Sequence, residues 1–331
     1  MVAVPDPQET TMALALDRRH LLAGVGVAAV GVTAAVALPA TSAPAKPETP
    51  GSEEGSSPLI GKPTHDRLHV MTFNIRLERV GDTESGDPDH WPDRRPLVID
   101  LLEREQPTLL GVQECKFDQL SAIQEALPDH EFVGYGRHGG SQDEYSPLFY
   151  DATRFELLAW DQFWLSDTPD VIGSATWGNE ISRMIIWARL HDRETDTEFA
   201  AINTHFDHQS EPSRVQSAQT MADLFEGGEL DGLPTIVTGD FNAPAGDSEA
   251  YTTLVTDGPT VDTWETAAEQ LTPAWGTFLG YEEPEEGSTR IDWILSTEDV
   301  TTHEAAINVS TSQDGRYPSD HAPVQALVSL P

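Results

Sequence analysis

Between residues 67 and 331 the chain alternates short apolar runs with amphipathic segments, and this alternation limits the folds open to it. Runs such as "LHVMTFNIRL" and "LPTIVTGDFN" have the length and composition of buried strands. The segment "WPDRRPLVIDLLERE" places Val98, Leu101 and Leu102 at helical spacing, with Pro92 as a first-turn residue. The pattern predicts one α/β domain, in which two sheets pack together with helices outside.

The remaining segments follow the same alternation. Two more helices are predicted, at "FDQLSAIQEAL" and "EPSRVQSAQTMADLFEG". The other predicted strands are "TLLGVQE", "SPLFYD", "ELLAWDQFWLS", "MIIWARLH", "EFAAINTHF", "RIDWILS" and "APVQALVSL".

Polar clusters interrupt several of these apolar runs, usually where a predicted strand ends. They are Asn74 in "TFNIR", Glu114 in "GVQE", "NTHFDH", "TGDFNAP", Asp292 in "RIDWIL" and "SDH". Any one of them could be a turn or a helix cap. Together they offer oxygen ligands for a hard cation such as Mg²⁺ and two histidines for acid–base work. The sequence has no Walker-type glycine loop, no GxSxG elbow and no set of cysteine ligands.

In their order, these motifs resemble the endonuclease/exonuclease/phosphatase superfamily, whose fold is that of deoxyribonuclease I. The resemblance spans residues 68 to 331. It implies a four-layer α-β-β-α sandwich, made of two packed mixed sheets flanked by helices. It also implies hydrolysis of a phosphate ester by in-line attack of water, dependent on Mg²⁺ or Mn²⁺.

The resemblance also assigns roles to residues of this chain. Glu114 and Asn74 are the expected metal ligands, with Asp320 close by. Asp240 is expected to orient or deprotonate the attacking water, and Asn242 to hold the phosphate. His321 is expected to stabilise charge on the phosphoryl oxygens, with Asp292 as its carboxylate partner.

Four further assignments rest on the same resemblance. His205 matches the second histidine of some members, an acid or a phosphate contact, and Glu144 is a candidate to orient it. His208 matches a phosphate-binding position or is a surface residue. Arg76 stands where some members carry an acid, so one tightly bound ion is expected. Arg76 itself either reaches the substrate phosphate or pairs with a nearby carboxylate.

Asp320 and His321 are neighbours, which suggests a catalytic pair. In an extended segment, however, successive side chains point to opposite faces. We therefore expect Asp320 to face the metal and His321 to face the phosphate, with Asp292 fixing the imidazole.

The charge balance bears on the substrate. The chain has 56 Asp and Glu against 19 Lys and Arg, a net charge of −37, although 38% of its residues are hydrophobic. This predicts an ordinary core under a surface adapted to high salt, the alternative being an acidic face for a cationic partner. Such a surface repels nucleic acid at low salt.

The substrate itself stays open between two classes. "HWPDRR" resembles the Trp/Arg element of deadenylase-like members, in which Trp91 would stack a base or serve only in packing. We rank a phosphodiesterase or nuclease first, acting on nucleic acid or a nucleotide. A phosphomonoesterase or a hydrolase of phospholipid headgroups ranks second, and an inactive binding protein third. We expect a monomer without a stable protein partner.

The N-terminal region predicts export. Residues 1–45 place Arg18 and Arg19 before an uncharged run and small residues, as in a twin-arginine signal, which is either cleaved or kept as an anchor. Residues 46–66 read as a disordered linker, and the domain is expected to fill residues 67–331. The single cysteine, Cys115, excludes an intramolecular disulfide and is expected to be a packed thiol.

Overall fold

The fold is a sandwich of two β-sheets with helices on both outer faces. The structure is a computed structural model that describes residues 57–64, 66–228, 230 and 232–331. The predicted signal segment lies outside the described residues. Among those residues, no helix is both long enough and apolar enough to cross a membrane.

Thirteen strands are seen in the described part of the chain, in two mixed sheets. The first sheet has the order β10-β12-β13-β1-β2-β4-β3 and the second β5-β6-β7-β8-β11-β9. The strands are β1 Leu68–Asn74, β2 Leu109–Gln113, β3 His130–Val133, β4 Leu148–Asp151, β5 Phe155–Trp164, β6 Met184–Asp192, β7 Thr197–His205, β8 Thr235–Asp240, β9 Val261–Asp262, β10 Glu269–Gln270, β11 Asp292–Ser296, β12 Thr301–Ile307 and β13 Val324–Ser329.

The helices flank these sheets. They are α1 Trp91–Glu105, α2 Phe117–Ala126, α3 Glu211–Glu226, the short α4 Glu249–Tyr251 continued by a π-helical turn Thr252–Thr256, and α5 Thr263–Thr266. The three long helices lie where the sequence predicted them. The predicted four-layer sandwich is therefore confirmed.

Three hydrophobic clusters explain the layering. In β1, Leu68 and Val70 face the core between the sheets, whereas Met71 and Phe73 face α1 and α2. This follows from the alternation of side chains along a strand, and both faces are apolar because both are covered. A third cluster, which includes Met221, packs the second sheet against α3.

The two sheets also meet through buried polar groups. The side-chain amide of Gln113 in β2 donates a 2.8 Å hydrogen bond to the side-chain oxygen of Asn203 in β7. The hydroxyl of Thr238 in β8 donates to the same oxygen at 3.0 Å. Gly111 leaves the room for this contact, because a Cβ there would lie 2.0 Å from the Thr238 hydroxyl oxygen. Glycine at this position thus allows close approach of the sheets.

Parallel pairs bring the ends of several strands to one edge of the sandwich. β1 pairs parallel with β2, which sets Asn74 opposite Gln113, and β7 pairs parallel with β8, which sets His205 opposite Asp240. β11 runs antiparallel to β8 and begins with Asp292 opposite Asp240. The polar clusters that follow these strands therefore converge.

Near the opposite end of β1, a buried carboxylate of α1 binds part of the segment that was predicted to be a linker. Glu105, the last residue of α1, is fully buried and accepts hydrogen bonds from the backbone N–H groups of Leu59, Ile60 and Gly61 at 3.1 to 3.4 Å. The segment at residues 59–61 is therefore held against the domain, although the linker was predicted to continue to residue 66. A carboxylate 44 to 46 residues downstream gave no local signal of this contact.

Two other differences concern strands. β12 was not predicted from the sequence, because it has a charged and half-exposed pattern, "TTHEAAI", and is broken by a bulge between Thr302 and Glu304. The short strands β3, β9 and β10 were not predicted either.

Cys115 is fully buried, and burial raises the pKa of its thiol, as expected of a packed cysteine.

Candidate active site

The converging strand ends surround one open cavity of about 770 Å³. The backbone leaves the strands here through residues in the left-handed region, with φ of 58° at Arg76, 57° at Glu114 and 49° at Asn242. Such conformations are costly for residues other than glycine and cluster at functional sites. Each turns the chain directly after a strand, so the polar side chains face the cavity instead of continuing into the core.

His321 is held by two carboxylates. Its Nδ1 lies 2.9 Å from the Asp292 carboxylate, and its Nε2 lies 3.8 Å from the Asp240 carboxylate. Burial would lower the pKa of His321, but Asp292 and Asp240 raise it to about 10. The imidazolium is therefore the form present at neutral pH. The predicted pairing of His321 with Asp292 is seen in the structure.

Asp240 sits at the centre of the group. One of its oxygens accepts a 3.0 Å hydrogen bond from the Asn74 side-chain amide, and the other accepts the backbone N–H of Asn242 at 2.9 Å. Burial, and after it the charge of Asp292, raises the pKa of Asp240 to about 7. A carboxylate with such a pKa can accept a proton near neutrality.

His205 lies beside Asp240, its Nε2 3.5 Å from the carboxylate. Burial, and after it the charge of Arg183, holds the pKa of His205 well below its usual range. A neutral imidazole at this position can donate a hydrogen bond but is a poor general acid. Asn242 lines the same cavity and donates from its side chain to the Phe206 carbonyl at 3.0 Å.

The expected metal ligands are also brought together. The Asn74 amide donates to the Glu114 carboxylate at 3.1 Å. Arg76 lies between the other two acids, 3.6 Å from Glu114 and 3.6 Å from Asp320. The positive charges of His321 and Arg76 outweigh burial and lower the pKa of Glu114, so it is ionised.

The donor set is suited to a hard divalent cation. Glu114 and Asp320 supply carboxylate oxygens and line the cavity, and Asn74 adds a side-chain oxygen, which in this structure accepts the backbone N–H of Arg76 at 3.0 Å. A second candidate group, Asp240, Asp292 and His321, has ligand atoms within 4.8 Å of one another. In that group the hydrogen bond between His321 and Asp292 occupies one candidate atom of each.

Of the two roles predicted for Arg76, the structure shows the pairing with nearby carboxylates. Its guanidinium makes hydrogen bonds of 3.0 and 3.3 Å to Asp89, in addition to its contacts with Glu114 and Asp320. It also lines the cavity, so it remains within reach of a substrate.

Two predicted roles are corrected. Trp91 is buried in the cluster under α1 and α2, with the Arg94 guanidinium 5.3 Å from its ring centroid, so it packs and does not stack a base. Glu144 lines the cavity, but both of its oxygens accept hydrogen bonds from Arg137, at 3.1 and 2.7 Å, in place of the expected contact with His205. Arginine outcompetes histidine here because its planar fork binds a carboxylate bidentately.

Several cavity residues were missed from the sequence. Arg79, Arg137, Arg183 and Phe278 all line it. Arg183 had a signal, since it is a lone charge directly before the apolar run "MIIWARL". Arg137 and Phe278 lie in loops with no distinguishing pattern. His208, expected to bind phosphate or to lie at the surface, is exposed and lines the cavity.

The sequence pattern of the Endonuclease/Exonuclease/phosphatase family matches residues 71–321. The chain therefore belongs to this family, whose members hydrolyse phosphate esters and typically depend on a divalent metal ion.

Solved structures and a curated relative agree with this assignment. A mannosyl-6-phosphatase of Bacteroides thetaiotaomicron is 30% identical, with a TM-score of 0.73, over 80% of this chain and 100% of its own. An endonuclease/exonuclease/phosphatase of Bacteroides vulgatus is 32% identical, also with a TM-score of 0.73, over 80% of this chain and 99% of its own. An uncharacterised protein of Acanthamoeba polyphaga mimivirus is 29% identical over 52% of this chain and 67% of its own length.

Proposed function

We propose that the chain is a phosphomonoesterase that uses Mg²⁺ or Mn²⁺. It would bind a small phosphorylated substrate in its cavity and transfer the phosphoryl group to water. The observation that carries the proposal is the group of Asp240, His321 and Asp292 beside the oxygen donors of Glu114 and Asn74. We further propose that it acts as an exported monomer in a high-salt environment, as the twin-arginine-like segment and the net charge of −37 suggest.

The residues would divide the chemistry as follows. Asp240 would take the proton of the attacking water, for which its raised pKa is suited. His321, kept cationic and oriented by Asp292, would donate to a phosphoryl oxygen as charge develops there. A divalent ion held by Glu114, Asn74 and Asp320 would supply Lewis-acid stabilisation of the phosphoryl oxygens.

A monoester is favoured over a diester for two reasons. The 30% identical relative is named a mannosyl-6-phosphatase. The tryptophan that had suggested a deadenylase-like base contact is buried. The sequence alone ranked a phosphodiesterase or nuclease first, and these two observations support placing the phosphomonoesterase first instead.

One observation keeps a phosphodiesterase as the second candidate. Phe278 is 57% exposed at the cavity, and its ring meets the His321 imidazole edge-on at 5.1 Å between centroids. An exposed aromatic ring beside the reaction centre could stack a nucleobase.

The test is hydrolysis of p-nitrophenyl phosphate and bis-p-nitrophenyl phosphate by the full chain in 2 M KCl (about the ionic strength at which exposed charges are fully screened). We expect the monoester to be hydrolysed faster, with Mg²⁺ or Mn²⁺ required and EDTA inhibiting. His321→Ala and Glu114→Ala should each lower kcat/KM by roughly 100-fold or more. His191→Ala, at the far end of β6, is the matched control and should keep the wild-type rate.

Three results would decide against parts of the proposal. Faster cleavage of the diester would favour the phosphodiesterase. Full activity of His321→Ala or Glu114→Ala would overturn the site assignment. Inactivity of the wild type with every metal tested would favour a binding protein on this fold.

A further inference from the structure

One wall of the cavity lies beyond the reaction centre and carries polar side chains that the proposed chemistry does not use. It is formed by Arg183, just before β6, His208, between β7 and α3, and the Arg137–Glu144 pair. We call it the distal wall.

Arg183 is a buried cation with unused donor capacity. It is 5% exposed, and its Nε is buried and makes no hydrogen bond to any of the described residues. The nearest carboxylate oxygen of Asp207 lies 3.8 Å from that Nε, which is an ion pair but too long for a hydrogen bond. A buried donor left without a partner is costly, so its retention in a cavity wall points to a ligand.

His208 is oriented by Arg183. The Arg183 Nη2 lies 3.2 Å from His208 Nδ1. Because a guanidinium can only donate, Nδ1 is the acceptor of this hydrogen bond, which leaves Nε2 as the ring nitrogen that carries the proton. His208 is exposed at the cavity, so it offers Nε2–H as a donor to whatever occupies the site.

The charge of this wall decides which kind of ligand it fits. Each guanidinium of the distal wall lies against a carboxylate, Arg137 against Glu144 and Arg183 against Asp207. A second anionic group on the substrate would therefore meet no excess of positive charge. The wall instead presents donors and carboxylate acceptors side by side, which is the chemistry that binds hydroxyl groups.

We propose that the distal wall binds the leaving group of the substrate, and that this leaving group is a neutral, hydroxyl-bearing ring of the sugar or polyol type. The inference rests on the proposed phosphomonoesterase and deepens it. Arg183 and His208 would donate to ring hydroxyls, and Glu144 would accept from one. Phe278 adds an apolar ring surface at the same cavity.

The test compares two monoesters of similar size: mannose 6-phosphate and cyclohexylmethyl phosphate, which lacks the hydroxyls. A site built to hydrogen-bond a hydroxyl discriminates strongly against an analogue without it. We expect the wild-type chain to prefer mannose 6-phosphate by roughly 100-fold or more in kcat/KM. His208→Ala should reduce that preference by about tenfold or more.

A second variant tests the role of the buried arginine. Arg183→Lys keeps the charge but lacks the second donor arm, and it should also lower the preference. His191→Ala, a histidine outside the cavity, should leave the preference at its wild-type value.

The outcomes separate this inference from the function it rests on. The distal wall does not recognise hydroxyl groups if the wild type hydrolyses both esters at equal kcat/KM. The same conclusion follows if His208→Ala lowers kcat/KM equally for both esters. A preference for fructose 1,6-bisphosphate over both would identify an anion site and overturn the inference. Hydrolysis of none of these esters would overturn the phosphomonoesterase and the inference with it.

Discussion

At the scale of single residues, the site depends on Asp320 and His321, which are neighbours in the chain but serve different partners. His321 is bound to Asp292, 29 positions away, and Asp320 lies beside Arg76 and Glu114. The serine before them, Ser319, donates to the Asn74 carbonyl at 2.6 Å and so fixes this segment against the end of β1. Acid and imidazole are therefore positioned separately.

This division predicts different defects for two matched substitutions. Asp292→Asn should lower kcat by roughly 10²- to 10⁴-fold, because His321 loses the charge that keeps it cationic and oriented. The concentration of Mg²⁺ needed for half-maximal activity should stay unchanged. Steady-state rates measured across a Mg²⁺ titration will show both quantities.

Asp320→Asn should behave in the opposite way. Because a metal-side carboxylate is removed, the half-maximal Mg²⁺ concentration should rise by about tenfold or more, with partial recovery of kcat at saturating metal. Recovery of Asp292→Asn by added Mg²⁺ would contradict the separate roles.

These partners were predictable because each lies in a motif that resembles one of the family's motifs, at an end of a strongly apolar strand. The sequence could not predict the partner of Glu144, since "DEYSPLFYD" does not show that Arg137 folds back onto it. It left Trp91 open between base stacking and packing, because the burial of a tryptophan at a helix start depends on how the helix packs.

At the scale of elements, the start of β1 and the end of α1 are joined by a buried histidine and a buried acid. His69 Nδ1 lies 2.9 Å from the Gly61 carbonyl and 3.0 Å from the Glu105 carbonyl, and it donates its proton to them. His69 is fully buried, and burial, only partly offset by the charge of Glu105, lowers its pKa to about 4.

The lowered pKa predicts a loss of stability in mild acid. The unfolded chain takes up a proton at His69 below pH 6.5, whereas the folded chain does so only near pH 4. Stability should therefore fall as the pH drops from about 6.5 to about 4 and level off below that. Between pH 7.5 and 5 the contribution of this group is roughly 2 kcal/mol.

Urea unfolding of wild type, His69→Gln and His191→Gln at these two pH values will check this. His69→Gln should show the smaller pH dependence, and His191→Gln should follow wild type. An equal pH dependence in wild type and His69→Gln would assign the loss to other groups.

Elements with strong apolar periodicity, such as β1, β8 and α1, were predictable because both faces of the sheets are covered and the pattern is continuous. β12 was not, since it lies between the two-residue strand β10 and β13 and keeps polar side chains on its partly exposed positions. Its pairing comes from tertiary contacts that local sequence does not encode.

At the scale of the whole molecule, a net charge of −37 surrounds a cavity lined by four arginines, Arg76, Arg79, Arg137 and Arg183. Each of them lies against at least one carboxylate. The chain has 37 more acidic than basic residues, and repulsion between exposed charges depends on salt.

We expect stability to increase with salt for this reason. Raising NaCl from about 0.1 to 2 M shortens the screening length from about 10 Å to below 3 Å and weakens repulsion in the folded state. Thermal unfolding should shift upward by roughly 5 °C or more. NaCl and KCl should act alike at equal ionic strength, and a shift produced only by sulfate salts would instead indicate a preferential-exclusion effect.

The contact of Glu105 with residues 59–61 fixes where the upstream chain joins the domain. The contact lies beside His69, and Asn74 lies five strand residues further on, about 17 Å away at the cavity edge. Anything attached ahead of residue 57, such as an affinity tag or a solid support, is therefore joined at the pole remote from the cavity mouth. Immobilisation of a chain that begins at residue 57 should accordingly leave the mouth facing solution.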